Sequence, residues 1–523
     1  MSVFKASATI SVMTLTSRVL GFVRDVLLAK FLGASALADA FFVALRLPNI
    51  LRQLFAEGAF NVAFVPFLAR KLDQTSKPEA EKFASAVFSS LMVLVVAITA
   101  VVLIFMQNIV LFIAPGFADN AATLAEATTL ARITFPYFVF IVATSFMGGI
   151  LNTLNRFAAF AFAPVLLNVS FILCLLLLPG SDFFEASPAY AAAVAVPLGG
   201  VLQVLLMVIA TKRSGFKLKI RTPHPHADLK PLLSRVAPTF VGVGAQQINT
   251  FLTTILASLL VPGSISYLFY ADRLSQLPLA LIGIALATAM LPTLSRAFKN
   301  IPGERAQTLF GKGLSAAMAL GFAAACGLAV LSHEVITVLF MRGAFDQHAA
   351  DMTSLALKAF AVGLPAFILI KITSTAFYAR EDTRTPVKTA LVSIAINIGL
   401  MFLLMPYYGH VGLAAAAAGA GWCHLLLQIY LLSRHRVITR PFWRTFLPYT
   451  IKAAVVTFLM GVLVYTVKTA FPLPAGGLEQ VLWLVALIGA GGLFWGGLGL
   501  VMGLHKPFLT FAPSPENPQN KKR

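Results

Sequence analysis

The sequence predicts an all-α polytopic membrane protein of about fourteen transmembrane helices, arranged as two parallel six-helix repeats followed by two C-terminal helices. Three observations carry this. First, 59% of the 523 residues are hydrophobic and 11% are charged, against about 45–50% and about 25% in soluble globular chains. That composition has too little polar surface for one water-facing exterior, which excludes a soluble multidomain enzyme. Second, Gly, Pro and charge clusters divide the chain into fourteen apolar stretches, each able to supply the ~20 residues a helix needs to cross hydrocarbon. Third, the cations sort into alternate connections.

In order, the stretches are 8–31, 36–68, 83–112, 127–152, 158–179, 187–211, 231–260, 265–295, 308–331, 353–380, 385–405, 410–432, 445–467 and 478–504. The second is too long for one straight span and is expected to bend near Pro48 or Gly58. The first contains Arg18 and Arg24 and leads directly into further spans, unlike a cleavable signal. Of the 40 Lys and Arg, 28 fall in one set of connections, among them Lys77, Lys217, Arg296, Arg384 and Arg440. The other set holds Arg342 and Lys468. Cations are retained on the cytoplasmic side, so both termini are expected there. The same rule accounts for the net charge of +20, and nucleic acid is not an expected partner.

Cys174, Cys326 and Cys423 lie far apart in apolar stretches and read as small core residues. His224 and His226 read as part of a solvated loop, so no metal site is expected. There is no G-x-x-x-x-G-K-[ST] phosphate loop, and no connection is long enough for a soluble catalytic domain. The expectation is a transporter without catalytic residues or cofactor, driven by the membrane potential, H⁺ or Na⁺.

An internal repeat supports this. Arg46, Pro66, Pro136 and Arg156 find counterparts in Arg273, Pro292, Pro365 and Arg380, at offsets of 227, 226, 229 and 224. An offset of six spans preserves orientation, which gives parallel repeats of the transporter type with a substrate site between halves near midplane. The expected domains are 1–220 and 221–440 for the two bundles, 441–505 for the extra helices and 506–523 for a cytoplasmic tail.

Ten cations fall inside the spans. Lys30, Arg132, Lys358 and Lys452 sit near span ends, where a long stem carries the charge to the interface. Arg18, Arg24, Arg46, Arg52, Arg273 and Lys371 are deeper, at an insertion cost of about 2.5–3.5 kcal/mol each. At ~100° per residue, Asp39, Arg46, Asn49, Gln53 and Glu57 form one polar stripe. Ser266, Tyr270, Arg273 and Gln276 form a second; Lys371, Ser374, Thr375 and Tyr378 form a third. All three stripes are expected to face one cavity. Four acids (Asp25, Asp39, Glu57 and Asp272) are too few for six cations, and Asp25 and Asp272, each next to a cation in sequence, are expected to point elsewhere. The surplus cations favour an anionic ligand over a purely structural network, and the planar fork of arginine suits phosphate.

The blocks "SRVLGFVRD", "ADAFFVALRLPNILRQLFAEGAFNVAFVPFLA", "APGFAD", "GGILNTLNRFAAFAFAPVLLN", "YADRL", "LGIALATAMLPTLS" and "FYAREDTRTPVK" resemble the MurJ/MviN family, in order over about residues 5–440. That family comprises lipid II flippases of the multidrug/oligosaccharidyl-lipid/polysaccharide exporter superfamily. The resemblance implies two six-helix bundles plus two helices bordering a groove for the lipid tail. It implies movement of undecaprenyl-pyrophosphate-linked peptidoglycan precursor from the inner to the outer leaflet of the bacterial cytoplasmic membrane, by alternating access. Carried over by motif, the substrate-binding residues are Arg18 and Arg24 in "SRVLGFVRD", Asp39 and Arg52 in the second block, Asp272 and Arg273 in "YADRL", and Lys371 ahead of "FYARED"; Ser17 beside Arg18, and Asn49 and Ser266 on the polar stripes, are counted with them. Gln276 departs from members that carry an acid there. The implied partners are lipid II or a similar polyprenyl-pyrophosphate glycolipid, the bilayer, and cell-wall synthesis proteins.

Rival readings are a flippase for another lipid-linked oligosaccharide and a multidrug or organic-cation exporter. The latter needs acids at midplane, where this chain has excess cations. A membrane glycosyltransferase or phosphatase needs clustered acids or histidines on one loop, and here they are dispersed.

Overall fold

A computed structural model describes residues 3–53, 59–178, 187–220, 247–298 and 303–509. Each expected apolar stretch that falls on these residues is occupied by helix. The order is α1 (Val3–Leu32), α2 (Ala36–Arg52), α3 (Ala59–Gln74), α4 (Lys77–Ile104), α5 (Met106–Ile113), α6 (Ala121–Thr134), α7 (Tyr137–Thr153), α8 (Ala158–Leu177) and α9 (Pro188–Arg213). Then come α10 (247–258), α11 (Ser264–Pro278), α12 (Ala285–Ala297), α13 (Glu304–Val330), α14 (Ser332–Phe340), α15 (Gln347–Tyr378), α16 (Arg384–Arg434), α17 (Arg440–Ala470), α18 (Gly477–Val501) and α19 (Lys506–Leu509). Among the described residues, ten helical runs are long and apolar enough to cross a membrane.

The difference between ten and fourteen has local causes, and α1, which carries Arg18, Arg24, Asp25 and Lys30, is helical but not among the ten. α16 is 51 residues long and holds two expected spans, folded back at Gly409, whose φ of 54° is left-handed. A side chain is strained in that conformation. The arms then meet closely: a Cβ on Gly412 would lie 2.5 Å from the Leu404 carbonyl oxygen. The stretch 36–68 is divided between α2 and α3. Pro48 lies inside α2 without ending it, and a bend near Gly58 lies outside the described residues, as does much of 231–260. After Pro278, the regular ladder gives way to a π-helical turn, Leu279–Ile284, before α12 resumes.

Packing divides the chain into two compact units. The first is Met1–Ser266 with Arg342–Asp346, and the second is Tyr267–Met341 with Gln347–Arg523. The expected boundary at 220/221 adjoins 221–246, outside the described residues, and His224, His226, Glu57, Asp182 and the end of the expected tail lie outside them too. In the first unit, Phe64, Phe83, Phe146, Met147, Ile150 and Met207 form a core between α3, α4, α7 and α9. In the second, Phe310, Leu314, Leu364, Ile368, Leu425 and Phe442 do so between α13, α15, α16 and α17. Of the cysteines, Cys174 is buried as expected and Cys326 is half-buried. Cys423, expected in a core, is exposed.

The repeat is written into the backbone of each unit. α4 breaks at Phe105 (φ −94°, ψ 18°) before the short α5. α13 breaks at Leu331 (φ −101°, ψ 14°) before the short α14, at 331 − 105 = 226. α7 ends with Asn155 at φ 57° and Arg156 N donating to Leu151 O at 2.8 Å. α15 ends with Glu381 at φ 62° and Asp382 N donating to Phe377 O at 3.0 Å, at 381 − 155 = 226. Both ends are Schellman closures. Beyond the second, the Asp382 carboxylate accepts from the Arg384 and Thr385 amides at 3.1 and 2.9 Å and opens α16. Burial raises its pKa, but these hydrogen bonds and nearby His435 outweigh that and hold it below the usual carboxylate range.

The left-handed Glu381 costs about 1–2 kcal/mol relative to glycine, whereas asparagine tolerates the conformation better. Glu381→Gly should therefore raise the melting temperature of the purified protein, and Asn155→Gly should raise it less. Thermal unfolding followed by tryptophan fluorescence checks this; a lower melting temperature for Glu381→Gly would contradict the assignment.

Candidate anion-binding site

α1 has three faces. Val12, Leu15, Val19 and Val23 form an exposed apolar stripe. Ser11, Thr14 and Arg18, within ~60° of one another at ~100° per residue, form an exposed polar strip. The third face carries Ser17, Gly21 and Arg24 against α8. Arg18 has no hydrogen-bond or ion-pair partner among the described residues.

Arg24 is the opposite case. Its Nε and Nη2 donate to Asp25 Oδ1 at 3.0 and 2.8 Å, and its Nη1 donates to Asn168 Oδ1 on α8 at 3.0 Å. Its guanidinium lies 5.4 Å from the centre of the Phe171 ring, also on α8. Asn168 Nδ2 donates back to the Ser17 carbonyl at 2.9 Å and faces the Ser17 hydroxyl at 3.4 Å. This corrects the expectation that Asp25 points away from its neighbouring cation. Adjacent Cα–Cβ bonds diverge by ~100° around a helix, but the long arginine stem folds back along the surface to reach the carboxylate. The side chains of Arg24 and Asp25 are 15% and 5% exposed, so the pair is largely desolvated.

Three residues of the α2 stripe hydrogen-bond to the segment 247–266. Asp39 Oδ2 accepts from Gly263 N at 2.7 Å, and Oδ1 accepts from Ser266 N and Oγ at 2.8 and 2.6 Å. Asp39 thus caps the N-terminus of α11 from a neighbouring helix, a favourable place for a carboxylate. Further along α2, Arg46 Nε donates to Thr254 Oγ1 at 2.8 Å, and Gln53 accepts from Gln247. Positions 39, 46 and 53 therefore meet 263–266, 254 and 247 in antiparallel order. Asn49, off that seam, is exposed, and Arg52 at the end of α2 is half-buried.

In the second unit, Arg273 lies over the Phe269 ring at 5.2 Å, and Asp272 accepts from Gln276 one turn on. Tyr270, placed in the same stripe by spacing, is fully buried against Phe340. Lys371 is exposed on α15, while Ser374 accepts from Gln428 at 3.1 Å. Among the described residues, several stripe members lie in helix-packing seams, while Asn49, Gln276, Lys371 and Tyr378 are exposed; Arg18 is exposed on α1. Asn168 was missed by sequence reasoning; its signal was a lone amide inside the apolar run 158–179.

Comparisons with known proteins identify the family. The family profile described as "Lipid II flippase MurJ" matches residues 28–485. The chain is 36% identical over 515 residues to the "Probable lipid II flippase MurJ" of Haemophilus influenzae, covering 95% of this chain and 99% of that one. It is 37% identical over 467 residues to the "Lipid II flippase MurJ" of Burkholderia cenocepacia, covering 87% and 89%. Among solved structures, "Lipid II flippase MurJ, inward closed conformation" superposes with a TM-score of 0.79 at 25% identity, over 96% of this chain and 99% of that one. An inward-facing multidrug resistance MATE family transporter shares the fold alone, with a TM-score of 0.64 at 15% identity over 83% and 99%. With its all-helical architecture, internal repeat and full-length matches, this multi-pass membrane protein belongs to the lipid II flippase MurJ family.

Proposed function

We propose that this chain moves lipid II from the inner to the outer leaflet of the cytoplasmic membrane by alternating access, with both termini in the cytoplasm. The observation that carries the reading is the family match over residues 28–485. Transport changes no covalent bond, so no acid, base or nucleophile takes part. The membrane potential, H⁺ or Na⁺ supplies the energy, and the enzymes that polymerise the delivered precursor are the partners such an activity serves.

The α1 geometry supports a division of labour toward the pyrophosphate. Arg24 is neutralised by Asp25 and serves as a source of oriented N–H donors. Arg18, without a counter-charge among the described residues, supplies the electrostatic attraction. Arg52, Arg273 and Lys371 are further candidate phosphate contacts. Asp39 and Ser266 contribute by fixing α2 to the start of α11, and Asp272 is held by Gln276.

This division makes Arg18 and Arg24 behave differently when removed. Arg18→Ala should leave membrane abundance and thermal stability unchanged, weaken lipid II binding by roughly tenfold or more, and fail to support growth of cells depleted of their own flippase. Arg24→Ala removes the ion pair to Asp25 and the hydrogen bond to Asn168, and should lower the melting temperature as well as lipid II transport. Normal binding and growth in an Arg18→Ala protein would contradict the reading.

The orientation rests on cation asymmetry. In a chain carrying Cys423→Ser, a cysteine at Lys217 should react with an impermeant thiol reagent only from the cytoplasm. One at Asp119 should react only from outside. Reaction of both from the same side would overturn the orientation.

A further inference from the structure

Each unit buries an uncharged amide between its helices. In the first unit, Gln203 is 2% exposed; its Nε2 donates to Ala163 O at 2.9 Å, and Tyr137 Oη donates to its Oε1 at 3.3 Å. Its counterpart in the second unit, 428 − 203 = 225 residues on, is Gln428, fully buried and bound to Ser374, Thr389 and His424 at 3.1, 3.4 and 3.1 Å. A polar group kept in both repeats serves the packing that both share.

The second repeat also buries an amide near the position matching Asn168: Asn397, 397 − 168 = 229 residues on, is 3% exposed. What it lacks is the arginine, since offsets of 224–229 from Arg24 fall on 248–253, which hold no cation. The role of Asn168 is therefore read from what it holds. It holds both sides at once: Oδ1 accepts from Arg24 Nη1 at 3.0 Å while Nδ2 donates to Ser17 O at 2.9 Å. An amide accepts from a guanidinium and donates to a carbonyl through one planar, uncharged group. Asn168 is 5% exposed and lies over Gly21, where an added Cβ would sit 3.5 Å from Nδ2.

A guanidinium has five N–H donors. Asp25 takes two and Asn168 a third, which leaves two for a ligand. Asp25 anchors the guanidinium along one edge, and Asn168 grips it at Nη1, so the plane cannot swing about the Asp25 contact. We infer that Asn168 is a positioning residue for lipid II recognition, fixing the Arg24 guanidinium so that its two remaining donors meet the pyrophosphate. This rests on the reading that Arg24 contacts the anion.

A double-variant cycle on the purified full-length protein in nanodiscs, read as the Kd for lipid II, tests both statements separately. Asn168→Leu keeps the side-chain bulk and removes both hydrogen bonds; Asn168→Ala is the second variant should the first fail to fold. Either should weaken lipid II binding about tenfold. In an Arg24→Gln background the same change should add little, because residues acting through one contact are not additive. Gln203→Leu, a packing variant, should lower the melting temperature and leave the Kd of the folded protein unchanged. Unaltered binding in Asn168→Leu or Asn168→Ala, with Arg24→Gln impaired, would overturn the positioning role alone. So would an equal loss in both backgrounds. Normal binding by Arg24→Gln would bring down the parent reading and this inference with it.

Discussion

Hydrocarbon offers no partner to a charge or a hydrogen-bonding group, and the organisation of this protein follows from that constraint. Every deep polar side chain must find its complement within the chain or face a water-filled space. Arg24 takes Asp25 and Asn168; Asp39 takes the first amides of α11. Lys468, held by Glu334 and the Val330 carbonyl, each at 2.8 Å, ties α17 to the α13–α14 break. Against this background of satisfied groups, Arg18 on the exposed strip of α1 stands out.

The repeats add a second filter. Structural features recur at offsets of 225–226: the breaks at Phe105 and Leu331, the left-handed ends at Asn155 and Glu381, the buried glutamines at 203 and 428. These belong to the helical scaffold. The Arg24–Asn168 contact occurs in one repeat, so the scaffold does not require it. Symmetric features describe how the bundles are built, and asymmetric ones describe what they are built for.

Much of this was legible in the sequence. Apolar length and cation segregation led to the helical membrane class, and Arg18 stood out because a charge at that depth has few innocent explanations. What spacing alone could not supply was the direction of long side chains. A helical wheel separated Arg24 from Asp25, although the arginine stem reaches back to it. The wheel also grouped Asp39, Arg46 and Gln53 correctly on one face of α2, yet had no means of telling a cavity from the neighbouring α10. Asn168 escaped notice because an asparagine in an apolar run carries no charge to betray it. Its role appears only when Ser17 and Arg24, 151 and 144 residues away, are brought against it.

The central claim is that a neutralised, fixed Arg24 and an uncompensated Arg18 together receive the pyrophosphate. A structure of the full chain with lipid II bound tests it most directly. Pyrophosphate oxygens should lie ~3 Å from the Arg18 guanidinium and from the donors that Arg24 keeps free, with the contacts to Asp25 and Asn168 intact. A pyrophosphate seated away from α1, or an Arg24 that has left Asp25 while Arg18 makes no contact, would contradict the account.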